Sequence, residues 1–158
     1  MLRPLETRQG EYLISTDPAR LDRAAVHAFL SNVYWCQGIP RAVLDKALAN
    51  SLCFGLYHRE REQVGLSRVV TDYATYAYLC DVYVLEAYRG KGLGHWMVEC
   101  VMTHPELQDL RRFTLATRDA HAVYANFGFA TPKAPERQME RHDPDVYKRL
   151  AAELERGK

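Results

Sequence analysis

The stretch Tyr88-Arg89-Gly90-Lys91-Gly92-Leu93-Gly94 places three glycines and two cations within seven residues. A mostly apolar run over residues 76–85 precedes it and predicts a buried strand, and an amphipathic segment that begins at Leu93 predicts a helix. Glycines let the backbone turn sharply and approach a ligand closely. The first amides of a helix have no internal acceptors and, with the helix dipole, favour an anion. Strand, glycine loop and helix therefore predict a phosphate or pyrophosphate site at residues 90–95.

Two common phosphate-binding patterns do not fit this loop. A P-loop ends in Gly-Lys-Ser/Thr, but here Lys91 is followed by Gly92, so the hydroxyl that binds magnesium is missing. A dinucleotide fingerprint needs Gly-x-Gly-x-x-Gly, and its last position is His95 or Met97, depending on the glycine from which the count starts. The pattern that remains is Arg-x-x-Gly-x-Gly, which starts at Arg89.

Length and composition narrow the class of protein. A chain of 158 residues is long enough for one domain with a sizeable core, and we expect a single domain over residues 1–158. The formal net charge of +1, with no basic block, does not indicate a nucleic-acid partner. The longest apolar stretch is about as long as a strand, so no membrane span is expected. Four scattered cysteines without paired spacing predict neither a disulfide framework nor a metal site, and they favour the cytoplasm.

Turn and cap signals divide the chain into alternating strands and helices. Strands are predicted over residues 11–16, 52–58, 64–71, 76–85 and 112–117, with two last strands at 129–130 and 137–142. Helices are predicted over residues 17–32, 40–50, 93 onward, 119–127 and 143–158. In the strand over 76–85, alternation puts Ala77, Leu79, Asp81 and Tyr83 on one face. This order predicts an α/β fold in which helices flank one mixed, mostly antiparallel sheet.

Two motifs in this order resemble the GNAT superfamily of N-acyltransferases. The Arg-x-x-Gly-x-Gly loop follows Val82-Tyr83-Val84, as the family's acyl-CoA loop follows its central strand. One strand and one helix later, Tyr124-Ala125-Asn126-Phe127-Gly128-Phe129 matches the family's Tyr-x-x-x-Gly-Phe segment. The resemblance covers residues 64–129. It implies that the central strand and the strand over 112–117 splay apart at their C-terminal ends, where acetyl-CoA binds as cosubstrate.

The resemblance also implies which residues contact the cosubstrate. Backbone groups of the central strand hold the pantetheine arm, and loop amides hold the pyrophosphate. Many family members have an asparagine seven positions before the tyrosine, but here that position is Thr117, with Asp119 two residues further on. The implied cofactor-binding residues are Val82, Tyr83, Val84, Arg89, Gly90, Lys91, Gly92, Leu93, Gly94, His95, Thr117 and Asp119.

The resemblance implies that the acceptor amine attacks the thioester directly, without a covalent enzyme intermediate. Tyr124 is the candidate acid that protonates the leaving thiolate, although it lies on the apolar stripe of its helix. Asp81 is the candidate base, because an apolar setting would make a carboxylate a better base, but it is equally well read as a structural carboxylate. A water chain would also serve. Weaker candidates for the base are Asp72, Glu86 and His121.

The sequence leaves the acceptor unidentified. Tyr34, Trp35 and the turn over 73–76 are candidates for the walls of its site, with capping of the core as the alternative role of Tyr34 and Trp35. The leading hypothesis is an acetyl-CoA-dependent N-acetyltransferase that acts on a small-molecule or peptide amine. The alternatives are a non-catalytic acyl-CoA-binding or sensing module and an interaction domain with a vestigial loop. Pairing into a homodimer through an exposed terminal strand is plausible for this fold.

Overall fold

The computed structural model describes residues 2–158, and one six-stranded sheet runs through it in chain order. The strands are β1 (Glu6–Gln9), β2 (Tyr12–Ser15), β3 (Leu52–His58), β4 (Glu62–Thr71), β5 (Tyr76–Val84) and β6 (Arg112–Leu115). Strands β1 to β5 pair antiparallel, whereas β5 and β6 are parallel. The predicted mixed, mostly antiparallel sheet is confirmed. Strand β1 was not predicted, because its residues are all exposed and carry no apolar alternation.

Helices cover both faces of the sheet. They are α1 (Arg23–Leu30), α2 (Arg41–Ala49), α3 (Leu93–Met102), α4 (His121–Ala125) and α5 (Val146–Arg156). Helices α1 and α2 pack with Cys53 and Tyr83, while α3 packs with Phe54 on the other face. No helix within residues 2–158 has the length and apolar character needed to cross a bilayer.

The single helix predicted over residues 17–32 is wrong, because two aspartates start two separate elements. Asp17 accepts a hydrogen bond from the amide of Ala19 and caps a 3₁₀ turn, Pro18–Arg20. Asp22 accepts one from the amide of Ala25 at 2.9 Å and caps α1. A second side-chain cap competes with helix continuation, so the chain restarts at Arg23.

The two last predicted strands, at 129–130 and 137–142, are also wrong. This part of the chain contains one 3₁₀ turn, Pro135–Arg137, and no strand. Every side chain from Gln138 to His142 is exposed, so no buried face fixes a strand register there. The last helix begins at Val146 rather than at residue 143.

A β-bulge in β5 exchanges the two faces of that strand. Pairing with β4 shifts between Leu66 and Arg68, and Asp81 has a positive φ of 51°. Asp81 and Val82 together oppose the single residue Ser67. In consequence, the predicted face assignment is wrong beyond the bulge. Ala77 and Leu79 belong to the core on the α3 side, and Val82 and Val84 pack against that same core.

Candidate active site

Strands β5 and β6 part in the middle of β5. Their parallel pairing runs from Tyr76 opposite Arg112 to Leu79 opposite Leu115, where β6 ends. Strand β5 continues to Val84, so its edge beyond Leu79 has no strand partner on the β6 side. The splay predicted from the sequence is confirmed, and Val82, Tyr83 and Val84 lie in it. An extended ligand arm can pair with such an edge through backbone hydrogen bonds.

The glycine loop offers six consecutive amides without acceptors. The N–H groups of residues 90–95 form no hydrogen bond within residues 2–158, and the first bonded amide is that of Trp96, which donates to the carbonyl oxygen of Gly92 at 3.0 Å. Gly90 and Gly92 have φ angles of 78° and 75°, in the left-handed region that glycine adopts without strain. Gly92 is the N-cap of α3 and supplies no side-chain acceptor. The loop is therefore a run of free donors at a helix N-terminus, which suits a pyrophosphate.

Side chains in the loop fix its position. Arg89 donates its Nε to the carbonyl oxygen of Val84 at 2.8 Å and so ties the loop to the end of β5. Lys91 Nζ lies 3.4 Å from the hydroxyl of Tyr12 on β2. Leu93 is buried in the core, so it offers a ligand only its backbone. The ring of His95 lies 4.7 Å from that of Phe127, which brings α3 beside the segment after α4.

Tyr124 presents a hydroxyl without a protein partner. The residue is on α4, partly buried, with its ring edge-on to Phe129 at 6.1 Å. Its hydroxyl makes no hydrogen bond within residues 2–158, and burial raises the pKa of the phenol. A phenol that remains protonated at neutral pH and is not engaged by the protein is suited to donate a proton to a ligand. Gly128, with φ 89°, is in the left-handed region, and its amide donates to the carbonyl oxygen of Ala125, the last residue of α4.

Asp81 is held in a buried ion pair instead of the expected apolar setting. Its Oδ2 lies 2.7 Å from Nε of Arg68, and only 4% of the Asp81 side chain is exposed. The other oxygen, Oδ1, accepts from Trp35 Nε1 at 3.0 Å and lies 3.7 Å from the Cys36 sulfur. Partners within the protein thus engage both carboxylate oxygens, as expected of a structural carboxylate. Asp81 as the base remains a prediction, and this geometry supports the alternative structural role.

Sequence reasoning missed Arg68. A buried charge needs a partner, so a basic residue within the apolar strand predicted over 64–71 is the signal that points to it. Arg68 also donates to Ser51 Oγ at 3.0 Å, and that hydroxyl donates to the carbonyl oxygen of Ala47 at 2.7 Å. The Arg68–Asp81 pair therefore links β4 and β5 to the end of α2.

The weaker candidates for the base have other surroundings. Asp72 accepts from the amides of Ala74, Thr75 and Tyr76 at 2.9, 2.8 and 3.1 Å. The Thr75 hydroxyl and these amides hold the pKa of Asp72 far below its usual range, so this carboxylate organises the β4–β5 turn and is a poor base. Glu86 and His121 are exposed.

Thr117, rather than Asp119, organises the turn at the start of α4. Thr117 Oγ1 accepts from the amide of Ala120 at 3.0 Å, so it organises the turn before α4. Ala120 is the N-cap of α4, so the helix predicted over 119–127 is shorter and begins at His121. The Asp119 side chain is 76% exposed. Contact of either residue with a cosubstrate stays a prediction.

The loop between α1 and α2, which carries Tyr34 and Trp35, lies against the bulge of β5. Trp35 is fastened to Asp81 by the hydrogen bond described above, and the Tyr34 ring meets the Trp35 ring edge-on at 5.1 Å. Both side chains remain partly exposed. The turn over 73–76 precedes β5, whereas the glycine loop follows it, so the structure does not bring this turn to the loop. Of the two predicted walls, the one formed by Tyr34 and Trp35, which we call the aromatic wall, lies beside the parted strands.

Cysteine chemistry is not favoured at this site. Burial raises the pKa of Cys36, Cys53 and Cys80 to about 12, so these thiols are protonated at neutral pH. Residues 2–158 contain no group of three or more His, Cys, Asp or Glu side chains arranged to hold a metal ion.

Fold and site together define an α/β protein with a glycine loop at a helix N-terminus, beside two parted parallel strands. Residues 49–131 match the family model described as the acetyltransferase (GNAT) domain. The Gibberella zeae protein named "Putative acetyltransferase FG08082" is 39% identical over 149 residues, which cover 80% of this chain and 83% of that protein. The chain belongs to the GNAT acetyltransferase family.

Solved structures agree with this assignment. The structure of a "putative acetyltransferase belonging to the gnat family" from Xanthomonas campestris pv. campestris is 47% identical in sequence with a TM-score of 0.83, covering 86% of this chain and 96% of that one. A "predicted acetyltransferase with acetyl-CoA" from Clostridium acetobutylicum is 13% identical with a TM-score of 0.59, covering 83% of this chain and 94% of that one. At that identity the second likeness shows the fold alone.

Proposed function

We propose that this chain is an acetyl-CoA-dependent N-acetyltransferase that acts on a small-molecule or peptide amine. The observation that carries the proposal is the run of six amides without acceptors at residues 90–95, next to the unpaired edge of β5. The first amides of a helix have no internal acceptors, and a pyrophosphate accepts from several of them at once.

The residues present fit coenzyme A. The amides of residues 90–95 would hold its pyrophosphate, and the free edge of β5 from Val82 to Val84 would bond its pantetheine arm. Arg89 would keep the loop against the end of β5. Thr117 and Asp119 would lie toward the same cofactor from the β6–α4 loop, as the family resemblance implies. When bound, acetyl-CoA supplies the acetyl thioester that the amine attacks.

Tyr124 is the acid in this proposal. Its hydroxyl has no partner within residues 2–158 and belongs to the family's Tyr-x-x-x-Gly-Phe segment. Burial keeps the phenol protonated at neutral pH, so it can deliver a proton to a leaving thiolate. A backbone amide near Tyr83, on the free edge of β5, would donate to the carbonyl oxygen of the thioester.

The proton of the acceptor amine needs a separate route. Asp81 is close to the parted strands, but Arg68 and Trp35 already engage both of its oxygens. A water molecule in the cleft therefore carries the proton in this proposal, with Asp81 as the alternative. Asp81→Asn separates the two routes, with binding of acetyl-CoA as the control for a folded chain. If Asp81 is the base, the variant loses amine-dependent release of CoA but still binds acetyl-CoA. If water is the base, release of CoA continues.

A pair of measurements tests the function. Acetyl-CoA should raise the midpoint of thermal unfolding, because a ligand that binds only the folded chain adds about 2.7 kcal/mol at a hundredfold excess over Kd. A thiol-release screen across amines, amino acids and peptides should then find amine-dependent release of CoA. Stabilisation by acetyl-CoA without release of CoA for any amine would favour a binding module. The absence of both stabilisation and release would overturn the proposal.

A further inference from the structure

An exposed guanidinium lies at the rim of the parted strands. Arg118 is in the loop between β6 and α4, three residues beyond Leu115, where pairing with β5 ends. Its Cζ lies 4.1 Å from the centre of the Tyr34 ring. Tyr34 belongs to the loop between α1 and α2, which Trp35 fastens to β5 through Asp81. The contact therefore joins the loop after β6 to the aromatic wall beside β5.

The hydrogen-bond donors of Arg118 are unused. The nearest carboxylate is that of Asp119 at 3.8 Å, too far for a hydrogen bond. The two side chains are 67% and 76% exposed, and an exposed pair of this kind contributes little. No group within residues 2–158 accepts a hydrogen bond from Arg118. An arginine held over an aromatic ring still presents its planar set of N–H donors to a carboxylate or phosphate.

The position of Arg118 separates it from the cofactor loop. The amides that suit a pyrophosphate follow the end of β5, whereas Arg118 contacts the aromatic wall fastened to the bulge at Asp81. The Arg68–Asp81 pair below that wall is internally neutralised. Arg118 therefore contributes a positive charge at this wall, and the nearest carboxylate to it is that of its exposed neighbour Asp119.

We propose that Arg118 determines acceptor specificity by binding an anionic oxo group, a carboxylate or a phosphate, that the acceptor amine carries. This inference rests on the proposed function and names the class of acceptor. The ring of Tyr34 restrains the guanidinium before binding, which reduces the entropy lost when a bidentate contact forms.

The first test measures binding and needs no turnover. The chain has two tryptophans, so Trp96→Phe leaves Trp35 as the only one, and its fluorescence reports on ligands at the aromatic wall. With CoA present, an α-amino acid is compared with its decarboxylated amine, and ethanolamine phosphate with ethanolamine. We expect at least one anionic member to bind about tenfold more tightly than its neutral partner, as charge-assisted bidentate hydrogen bonds predict. The pair that shows the preference distinguishes carboxylate from phosphate.

Matched variants assign the preference to Arg118. Arg118→Ala should abolish it, and Arg118→Lys should retain only part of it, because an ammonium lacks the planar pair of donors. Arg111→Ala is the control, since Arg111 is exposed just before β6, and it should leave the preference unchanged. In turnover assays the Arg118→Ala change should raise KM for the anionic acceptor more than it lowers kcat.

Two results overturn the inference. The first is that the wild-type chain binds no anionic ligand at millimolar concentration, or binds each one no more tightly than its neutral partner. The second is that the preference for the anionic ligand survives Arg118→Ala. In both cases acetyl-CoA still stabilises the chain if the proposed function is right. Failure of that stabilisation is instead a failure of the proposed function, so the two are told apart.

Discussion

Single residues at the site show how local chemistry depends on surroundings. Tyr124 and Asp81 were both predicted to move protons, but the structure surrounds them differently. The phenol of Tyr124 has no partner within residues 2–158, whereas the carboxylate of Asp81 is fully engaged by Arg68 and Trp35. An unengaged hydroxyl is available to a ligand, whereas partners within the protein already occupy both oxygens of the carboxylate.

Tyr124→Phe should lower kcat about a hundredfold or more, since general acid catalysis contributes roughly that much. The affinity for acetyl-CoA should be unchanged, because the loop amides hold the pyrophosphate. Since burial raises the pKa of Tyr124, the wild-type rate should stay constant through neutral pH and fall only when strongly alkaline conditions ionise the phenol. Steady-state kinetics between neutral and alkaline pH check both points. Full activity in the phenylalanine variant would exclude this tyrosine as the acid.

Gly55 on β3 should not tolerate a side chain. A Cβ at this position would overlap the hydroxyl of Tyr57, which is buried two residues along on the same face. Gly55→Ala should therefore destabilise the chain by about 1–3 kcal/mol, the usual cost of overpacking a core. Urea unfolding measures this difference.

The matched change is Tyr57→Phe. The Tyr57 hydroxyl is buried without a hydrogen-bond partner within residues 2–158. Removing an unsatisfied buried hydroxyl is nearly neutral or stabilising. A large loss of stability on Tyr57→Phe would show that this hydroxyl has a partner, and an unaffected Gly55→Ala variant would show that the ring can move.

At the scale of elements, the loop between β5 and α3 combines backbone conformation with ligand binding. Gly92 begins α3 in the left-handed region, and a Cβ there would meet no atom within 4 Å. The requirement for glycine is therefore conformational rather than steric. Because the neighbouring amides form the candidate pyrophosphate site, strain at Gly92 should act on binding as well as on stability.

Gly92→Ala should cost about 1–2 kcal/mol of stability from left-handed strain and should weaken acetyl-CoA binding. Gly10→Ala is the matched control, since Gly10 has φ 58° and also meets no atom within 4 Å, but lies in the turn between β1 and β2. Thermal unfolding and calorimetric titration compare the two variants. Equal affinity for acetyl-CoA in both would mean that the loop amides do not bind it.

At the scale of the whole molecule, one buried ion pair links the sheet to two other elements. Arg68 is on β4 and Asp81 on β5, and through Ser51 and Trp35 they reach the end of α2 and the loop before it. The pair lies at the bulge that exchanges the faces of β5. Removing the ion pair should therefore lower the stability of the fold and also loosen the attachment of the aromatic wall.

Asp81→Asn should destabilise the chain by about 3–5 kcal/mol, because it leaves the buried charge of Arg68 without its partner. Adding Arg68→Met should restore part of that loss, since the double variant buries no lone charge. A double-mutant cycle by chemical denaturation measures the coupling. Additive losses would mean that the two side chains act independently.

Much of the fold and of the candidate site was predictable from local patterns. The glycine loop, the flanking strand and helix, and the Tyr-x-x-x-Gly-Phe segment are each contained within a few residues, so their backbone preferences are visible in the sequence. The strands over 129–130 and 137–142 were wrong because alternation without a partner face does not fix a strand. The prediction of one helix over 17–32 was wrong because Asp17 and Asp22 each cap a separate element within that stretch.

The sequence by itself determined the loop, the order of elements and the family resemblance, because glycine conformation, helix capping and apolar periodicity act between near neighbours. Only the tertiary structure decided what surrounds Asp81, which face of β5 each residue beyond the bulge occupies, and that Arg118 meets Tyr34. Those outcomes depend on residues far apart in the chain, Arg68 and Trp35 in one case and two separate loops in the other. Packing brings such groups together, and no local pattern encodes the distance between them.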